Sequence, residues 1–173
     1  MRKGWPSISE VLQAADTSCY AAKEAGRNRV HVWFDADHKM QARHGEMQWV
    51  SRIEQALDED RFELYGQLIT PIDDSCTRIH CEILLRMIDT DGAIIPPGAF
   101  LPAAERFHMA PRIDRWVLRN VFEWMKSIGN TADNIEMIAV NLSGQSIGDK
   151  TFHKYLVEII ALAEFDVTKL CFE

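Results

Sequence analysis

The chain has 173 residues, which is enough for one domain of ordinary size and a smaller additional segment. Hydrophobic residues make up 47% of the sequence and charged residues 26%, so the chain is too apolar to be disordered and can bury a core. The net charge of −7 argues against a protein that grips nucleic-acid polymers, which needs a basic face. It does not exclude a small phosphate ligand, because one arginine and metal ions supply local positive charge.

The N-terminal region contains one predicted helix and one predicted strand. Ser7-Ile8-Ser9-Glu10 has the pattern of a capping box, apolar residues at helical spacing follow it, and Gly26 is a natural stop. Residues 29–34 alternate between apolar and polar side chains like a short strand. One helix and one strand cannot bury a core, so this region is expected to belong to a larger unit.

After a polar segment at residues 35–43, the chain alternates between predicted strands and helices. Helical apolar stripes over residues 113–128 and 152–163 separate the later strands. This order is typical of a parallel sheet with helices packed on it. The long proline-containing segment 87–110 leads out of the second strand, and connections of that length are often functional. The predicted strands are residues 62–69, 78–86, 135–142 and 169–173.

Polar side chains collect towards the ends of these strands. In a closed parallel barrel the chemistry lies at the rim formed by the carboxyl ends of several strands. Carboxylate and amide oxygens there would suit Mg²⁺, Mn²⁺ or Ca²⁺, and a guanidinium would suit a phosphate. The candidate residues are Gln67, Glu82, Arg86, Asn141 and Glu173.

Each candidate also has a simpler explanation when it is considered alone. A strand glutamate such as Glu82 usually lies on a solvated face, and Arg86 could pair with it in a weak surface contact. Asn141 with the following Leu-Ser-Gly is most simply a turn or a helix cap. Glu173 is the last residue of the sequence, so its setting cannot be judged from its neighbours.

Six sequence motifs follow one another in a characteristic order along the chain. Phe62-Glu-Leu-Tyr-Gly-Gln67 is similar to the opening strand F-x-L-Y-Y-Q-P-I of the EAL domain family, and Glu82-Ile-Leu-Leu-Arg86 is similar to the signature E-A-L-L-R of that family. The matches run in register over residues 45–173, which makes the resemblance specific. The other four motifs are Pro97-Gly-Ala-Phe-Leu-Pro-Ala-Ala-Glu105, Asp114-Arg-Trp-Val-Leu118, Val140-Asn-Leu-Ser143 and Leu170-Cys-Phe-Glu173.

Upstream, residues 15–29 resemble the closing helix and strand of GGDEF domains. The resemblance therefore implies a C-terminal end of a GGDEF domain at residues 1–36, a linker at 37–44 and the N-terminal part of an EAL domain at 45–173. The implied fold class is α/β, with about the first half (strands 1–4) of a (βα)8 TIM-like barrel. The GGDEF signature loop is absent from the sequence, so no cyclase activity is expected.

The resemblance also implies a function in cyclic di-GMP signalling, namely hydrolysis of the dinucleotide to linear pGpG by two-metal catalysis with Mg²⁺ or Mn²⁺. Glu82, Asn141 and Glu173 would be metal ligands. Arg86 would contact a ligand phosphate, and Gln67 would lie against the dinucleotide. The family's catalytic aspartate pair and lysine are expected beyond Glu173. We therefore expect the chain alone to be inactive and the longer polypeptide from which it would come to be active.

The sequence also leads to a second candidate function and to expectations about the oligomeric state, the location and the cysteines. The second candidate function is a catalytically inactive EAL-like module that binds cyclic di-GMP or regulates a partner. A homodimer is expected if the half-barrel folds alone, because its sheet edges are open. The location is expected to be cytoplasmic, with any membrane anchor in a region upstream. Consistently, the cysteines form no CxxC pair and are expected to be buried free thiols.

Overall fold

The computed structural model describes residues 38–72 and 78–173, together with residues 8, 11, 12, 15, 18, 19 and 30. The chain divides into two compact units, Met1–Gly45 and Glu46–Glu173. The described residues between 8 and 19 are helical, in agreement with the predicted N-terminal helix, whereas Val30 does not lie in a strand. The other residues of that predicted helix and strand lie outside the described part of the chain.

Helices and strands alternate along the described chain, with one short extra strand. Helix α1 (His38–Asp58) begins inside the segment predicted as a linker. It is followed by β1 (Phe62–Ile69), β2 (Ile79–Ile88) and β3 (Ile94–Ile95), then by α2 (Pro97–Arg106) and α3 (Ala110–Ile128). The order ends with β4 (Ile135–Val140), α4 (Gly144–Gly148), α5 (Lys150–Ala161) and β5 (Leu170–Phe172).

The strands form one sheet in the order β1-β2-β4-β5, with β3 paired to β2. As predicted, β2, β4 and β5 are parallel. The prediction of a parallel sheet is wrong for β1, which runs antiparallel to β2. The physical reason is the length of the connection between β1 and β2. It comprises residues 70–78 and is shorter than the roughly dozen residues that a crossover between parallel strands requires.

The segment 87–110, predicted as a long connection, includes regular secondary structure. It contains β3, which pairs antiparallel with the end of β2, and helix α2. Pro97 stands at the first position of α2, where a helix has no use for the missing N–H and the fixed φ of proline already fits. The long connection therefore returns the chain to the sheet as structured elements.

The hydrophobic core lies between one face of the sheet and the helices. Side chains alternate along a strand, so Cys81, Ile83 and Met87 of β2 point into this core while Glu82 and Arg86 lie on the opposite face. Phe62 of β1 packs in the core, with ring centroids 5.7 Å from Phe100 and 5.4 Å from Trp116. Further core residues are Ile53 and Ala56 of α1, Ala104 of α2, Ile113, Val117, Leu118, Val121, Phe122 and Met125 of α3, Ile138 and Val140 of β4, and Phe152 of α5.

In the described residues, no helix combines the length and the hydropathy needed to cross a membrane. Cys19, Cys81 and Cys171 are free thiols, as expected. Of these three described cysteines, Cys81 is buried, Cys171 is partly buried and Cys19 is exposed, so the expectation of buried cysteines is confirmed for Cys81 and wrong for Cys19. Cys76 lies outside the described residues.

Candidate functional site

Strand register brings four of the five candidate residues together on the face of the sheet opposite the core. Gln67 of β1 is the direct partner of Glu82 of β2, and Glu82 is level with Ala139 of β4. Asn141 follows two residues after Ala139 and therefore points to the same face. Glu173 stands beside Asn141, because Val140 and Phe172 are partners in β4 and β5.

The central contact of the site joins Glu82 and Asn141. The Nδ2 atom of Asn141 donates a hydrogen bond of 2.7 Å to Oε1 of Glu82. Glu82 is half-buried and Asn141 is exposed, so the pair is open to a ligand from solvent. Which end of the amide faces Glu82 follows from the hydrogen-bond network, and a half-turn of the amide places Oδ1 there instead. Oδ1 of Asn141 and Oε1 of Glu82, two oxygen atoms that can bind a cation, would then face the same point.

Glu173 and Gln67 are placed by the main chain. The N–H of Glu173 donates to the carbonyl of Val140 at 3.1 Å, and its own carbonyl accepts from the N–H of Leu142 at 2.8 Å. These two bonds fix Glu173 next to Asn141, while its side chain is exposed. The side chain of Gln67 is also exposed and lies opposite Glu82 in the antiparallel pair. Neither side chain is committed elsewhere in the described structure.

Arg86 lies further along the same face of β2, four residues after Glu82. Its Nη1 donates to the carbonyl of Leu85 at 2.7 Å, and its guanidinium carbon lies 5.5 Å from the ring centroid of Tyr65. The hydroxyl of Tyr65 in turn donates to Oε2 of Glu63 at 3.2 Å. In the described part of the chain Arg86 thus contacts a carbonyl and an aromatic ring, and its simpler interpretation as an ion-pair partner of Glu82 does not hold.

A buried polar cluster behind Asn141 was not anticipated as part of the site. Asp114 of α3 is only 8% exposed, and its Oδ2 accepts hydrogen bonds from the Ser143 amide at 2.9 Å, the Ser143 hydroxyl at 2.7 Å and the Ser146 hydroxyl at 2.6 Å. The signal in the sequence was an aspartate inside an otherwise apolar helical stripe. Tyr65 was missed as well, although it stands two residues before Gln67 and therefore on the same face.

The donor set of the site fits a hard divalent cation. Glu82 and Glu173 offer carboxylates and Asn141 offers an amide oxygen, which are donors that Mg²⁺ and Mn²⁺ accept. Among the described residues there is no cluster of three or more His, Cys, Asp or Glu side chains that could hold a metal ion. The set formed here has two carboxylates and an amide, so it would need further oxygens from water, substrate or other protein groups.

The geometry and fold described above define an α/β domain with an oxygen-rich site on one sheet face, and comparison with known proteins gives its family. The family model described as the EAL domain matches residues 50–173. The chain therefore belongs to the EAL domain family, which confirms the resemblance found in the motifs.

Individual relatives agree with this assignment. Over 99% of its length the chain is 34% identical to the cyclic di-GMP phosphodiesterase PdeB of Shewanella oneidensis, but it spans only 20% of the length of that relative. A solved structure of the FimX EAL domain from Pseudomonas aeruginosa bound to c-di-GMP is similar, with a TM-score of 0.63 and 27% identity over 72% of this chain and 48% of that one.

A third comparison extends over almost the whole chain. The apo structure of Vibrio cholerae LapD comprising its S helix, GGDEF and EAL parts has a TM-score of 0.65 and 20% identity to this protein. It covers 98% of this chain and 39% of that one. At this identity the likeness concerns the fold alone.

Proposed function

We propose that the chain is a part of an EAL phosphodiesterase that includes the N-terminal half of its EAL domain, and that this enzyme hydrolyses cyclic di-GMP to linear pGpG as a longer polypeptide, here called the parent polypeptide. The observation that carries the proposal is the 2.7 Å contact between Asn141 and Glu82, with Glu173 held beside Asn141 by the main chain. The Shewanella oneidensis relative is named as a cyclic di-GMP phosphodiesterase, which supports the activity. The chain spans only 20% of the length of that relative, which supports a longer parent polypeptide.

The residues of the chain have distinct parts in this reaction. Hydrolysis adds water across one P–O bond: the hydroxyl joins phosphorus, and the proton ends on the leaving ribose oxygen. Glu82, Asn141 and Glu173 would hold Mg²⁺ or Mn²⁺, which when bound supplies charge neutralisation at the phosphate and a more acidic water. Arg86 would bind a phosphate of the dinucleotide, and Gln67 would orient it from β1.

The arrangement of Arg86 supports its role at a phosphate. A guanidinium that lies against the Tyr65 ring and a carbonyl is oriented, yet it keeps free N–H groups for a ligand. Because Arg86 lies four residues along the strand from Glu82, a ligand that touches both must be larger than a single phosphate. A cyclic dinucleotide meets that requirement.

The remaining catalytic groups, the half-barrel and the GGDEF end belong to the same proposal. We place the groups that complete the two-metal site after Glu173, so that residues 1–173 alone do not turn over the dinucleotide. Residues 1–36 would be the end of a GGDEF domain, residues 37–44 the link and residues 45–173 the first half of a (βα)8 barrel. In the described part of the chain β1 is an edge strand of the sheet, which supports a homodimer of the isolated chain that sedimentation velocity would detect.

The second candidate function is a module that binds cyclic di-GMP without hydrolysing it. The observation in its favour is that Glu82 and Asn141 satisfy each other through their hydrogen bond, so the site is stable without a cation. In this case Arg86 and Gln67 would provide the affinity.

Two measurements on the parent polypeptide separate these functions. Chromatography after incubation with cyclic di-GMP and Mg²⁺ or Mn²⁺ detects pGpG, and calorimetry in EDTA detects binding without turnover. Cation-dependent pGpG supports the enzyme. Saturable binding with no pGpG under any cation supports the binding module, and neither binding nor turnover contradicts both.

A further inference from the structure

Asp114 is a buried carboxylate that the proposed reaction leaves without a role. It lies on α3, where its neighbours Ile113, Trp116 and Val117 belong to the core. An aspartate is rarely buried to 8% exposure unless it is paired, because removing a charge from water is costly. Here the compensation comes from three hydrogen bonds to one oxygen, and all three come from the segment after β4.

Helix capping does not explain this arrangement. Ser143 is the N-cap of α4, and its own hydroxyl oxygen accepts from the Ser146 amide at 3.1 Å. The short helix would therefore be capped without Asp114. What Asp114 adds is a connection between α3 and the segment Ser143–Ser146, that is, between the helix layer and the end of β4.

This connection acts on Asn141, which precedes Ser143 by two residues. Before Asn141 the carbonyl of Val140 accepts a hydrogen bond from the N–H of Glu173 at 3.1 Å, and after it the N–H of Leu142 donates to the carbonyl of Glu173 at 2.8 Å. From the helix layer Asp114 holds the Ser143 amide at 2.9 Å. Asn141 is thus fixed between two anchors, and its exposed amide has a defined approach to Glu82.

We propose that Asp114 is a positioning residue of the cation site: it holds the Ser143–Ser146 segment so that the Asn141 amide oxygen and the Glu82 carboxylate face the same divalent ion. This inference rests on the proposed function, because it requires that Glu82 and Asn141 bind a cation. Partners behind a metal ligand typically change metal affinity when they are removed, even though they do not touch the ion.

The test measures the Mn²⁺ dissociation constant of the parent polypeptide by calorimetry without dinucleotide. Asp114→Ala is expected to weaken Mn²⁺ binding about tenfold, and Asp114→Asn less, because the amide keeps an acceptor oxygen. Cyclic di-GMP affinity in EDTA is expected to change by less than about twofold, because Arg86 lies on β2 and Gln67 on β1, not on the segment that Asp114 holds. Val121→Ala, a fully buried change on the same helix, is the control and should leave Mn²⁺ affinity unchanged.

The outcomes distinguish this inference from the function on which it rests. Unchanged Mn²⁺ affinity in folded Asp114→Ala, or an equal loss in Val121→Ala, overturns the positioning role while the proposed function stands. Unchanged Mn²⁺ affinity in Glu82→Ala overturns both. If Asp114→Ala does not fold, Ser146→Ala removes one bond to Asp114 and is expected to weaken Mn²⁺ about threefold; no change there overturns the role.

Discussion

The side-chain amide of Asn141 donates a 2.7 Å hydrogen bond to the carboxylate of Glu82, although 59 positions separate the two residues in the sequence. The parallel pairing of β2 with β4 produces this contact, because it sets Glu82 level with Ala139. Asn141 then lies just past the end of β4, where its side chain reaches back to the neighbouring strand. The contact joins the two most distinctive motifs of the chain in one site.

Removing the Asn141 amide should impair cation binding without disrupting the sheet. Asn141→Leu keeps a side chain of similar volume but no oxygen, so Mn²⁺ affinity of the parent polypeptide is expected to fall about tenfold. The matched control is Glu136→Gln, also on β4, whose exposed ion pair with Arg78 at 2.7 Å contributes little. Calorimetry on both variants checks the prediction, and equal affinities would contradict a ligand role for Asn141.

Changes at Arg86 and Tyr65 should affect dinucleotide binding rather than cation binding. Arg86→Lys loses the planar fork and is expected to weaken cyclic di-GMP binding in EDTA about tenfold. Tyr65→Leu removes the ring beside the guanidinium and should cost about two- to fivefold. Tyr65→Phe keeps that ring and serves as the control. If Tyr65→Phe is as weak as Tyr65→Leu, the hydroxyl and its bond to Glu63 matter more than the ring.

The packing of β1 against the helices depends on Phe100. This side chain is fully buried and meets Phe62 at 5.7 Å, so Phe100→Ala is expected to lower the free energy of unfolding by about 3–5 kcal/mol. Leu68→Ala, at a side chain that is 68% exposed, should change it by less than about 0.5 kcal/mol. Urea unfolding followed by tryptophan fluorescence measures both. Similar losses in the two variants would show that the core is placed wrongly.

Cysteine reactivity tests burial and pKa together. Burial raises the pKa of the Cys81 thiol, which is only 5% exposed, so less of it is thiolate at a given pH than of an exposed cysteine. At mildly alkaline pH iodoacetamide should modify exposed Cys19 at least about tenfold faster than Cys81. The difference should disappear in denaturing guanidinium chloride. Peptide mass spectrometry over time gives both rates, and equal rates in the folded protein would contradict the burial of Cys81.

The sequence predicts which side chains share a face of the sheet better than it predicts the directions of the strands. The strict alternation around Glu82 and Arg86 correctly separates them from Cys81 and Ile83, because side-chain period is a local property of a strand. Strand direction is not local, and the periodicity of β1 is the same whichever way it runs. The short connection at residues 70–78 was the available signal for an antiparallel pair.

The sequence predicts which residues belong to the candidate site, but not the contacts between them. Motif order singled out Glu82 and Asn141, but their hydrogen bond depends on the register between β2 and β4, which no local pattern encodes. The role of Asp114 depends on packing between α3 and the end of β4, and is therefore even less accessible from sequence. An aspartate in an apolar helical stripe marks such a position without naming its partner.

The most direct test of the account is the turnover of cyclic di-GMP by the parent polypeptide and its Glu82→Gln variant. The substitution removes one charge from the donor set and keeps the shape of the side chain. With Mg²⁺ or Mn²⁺ present, the account predicts pGpG from the unchanged protein and at least about a hundredfold slower formation from the variant. Undiminished turnover in Glu82→Gln would contradict it.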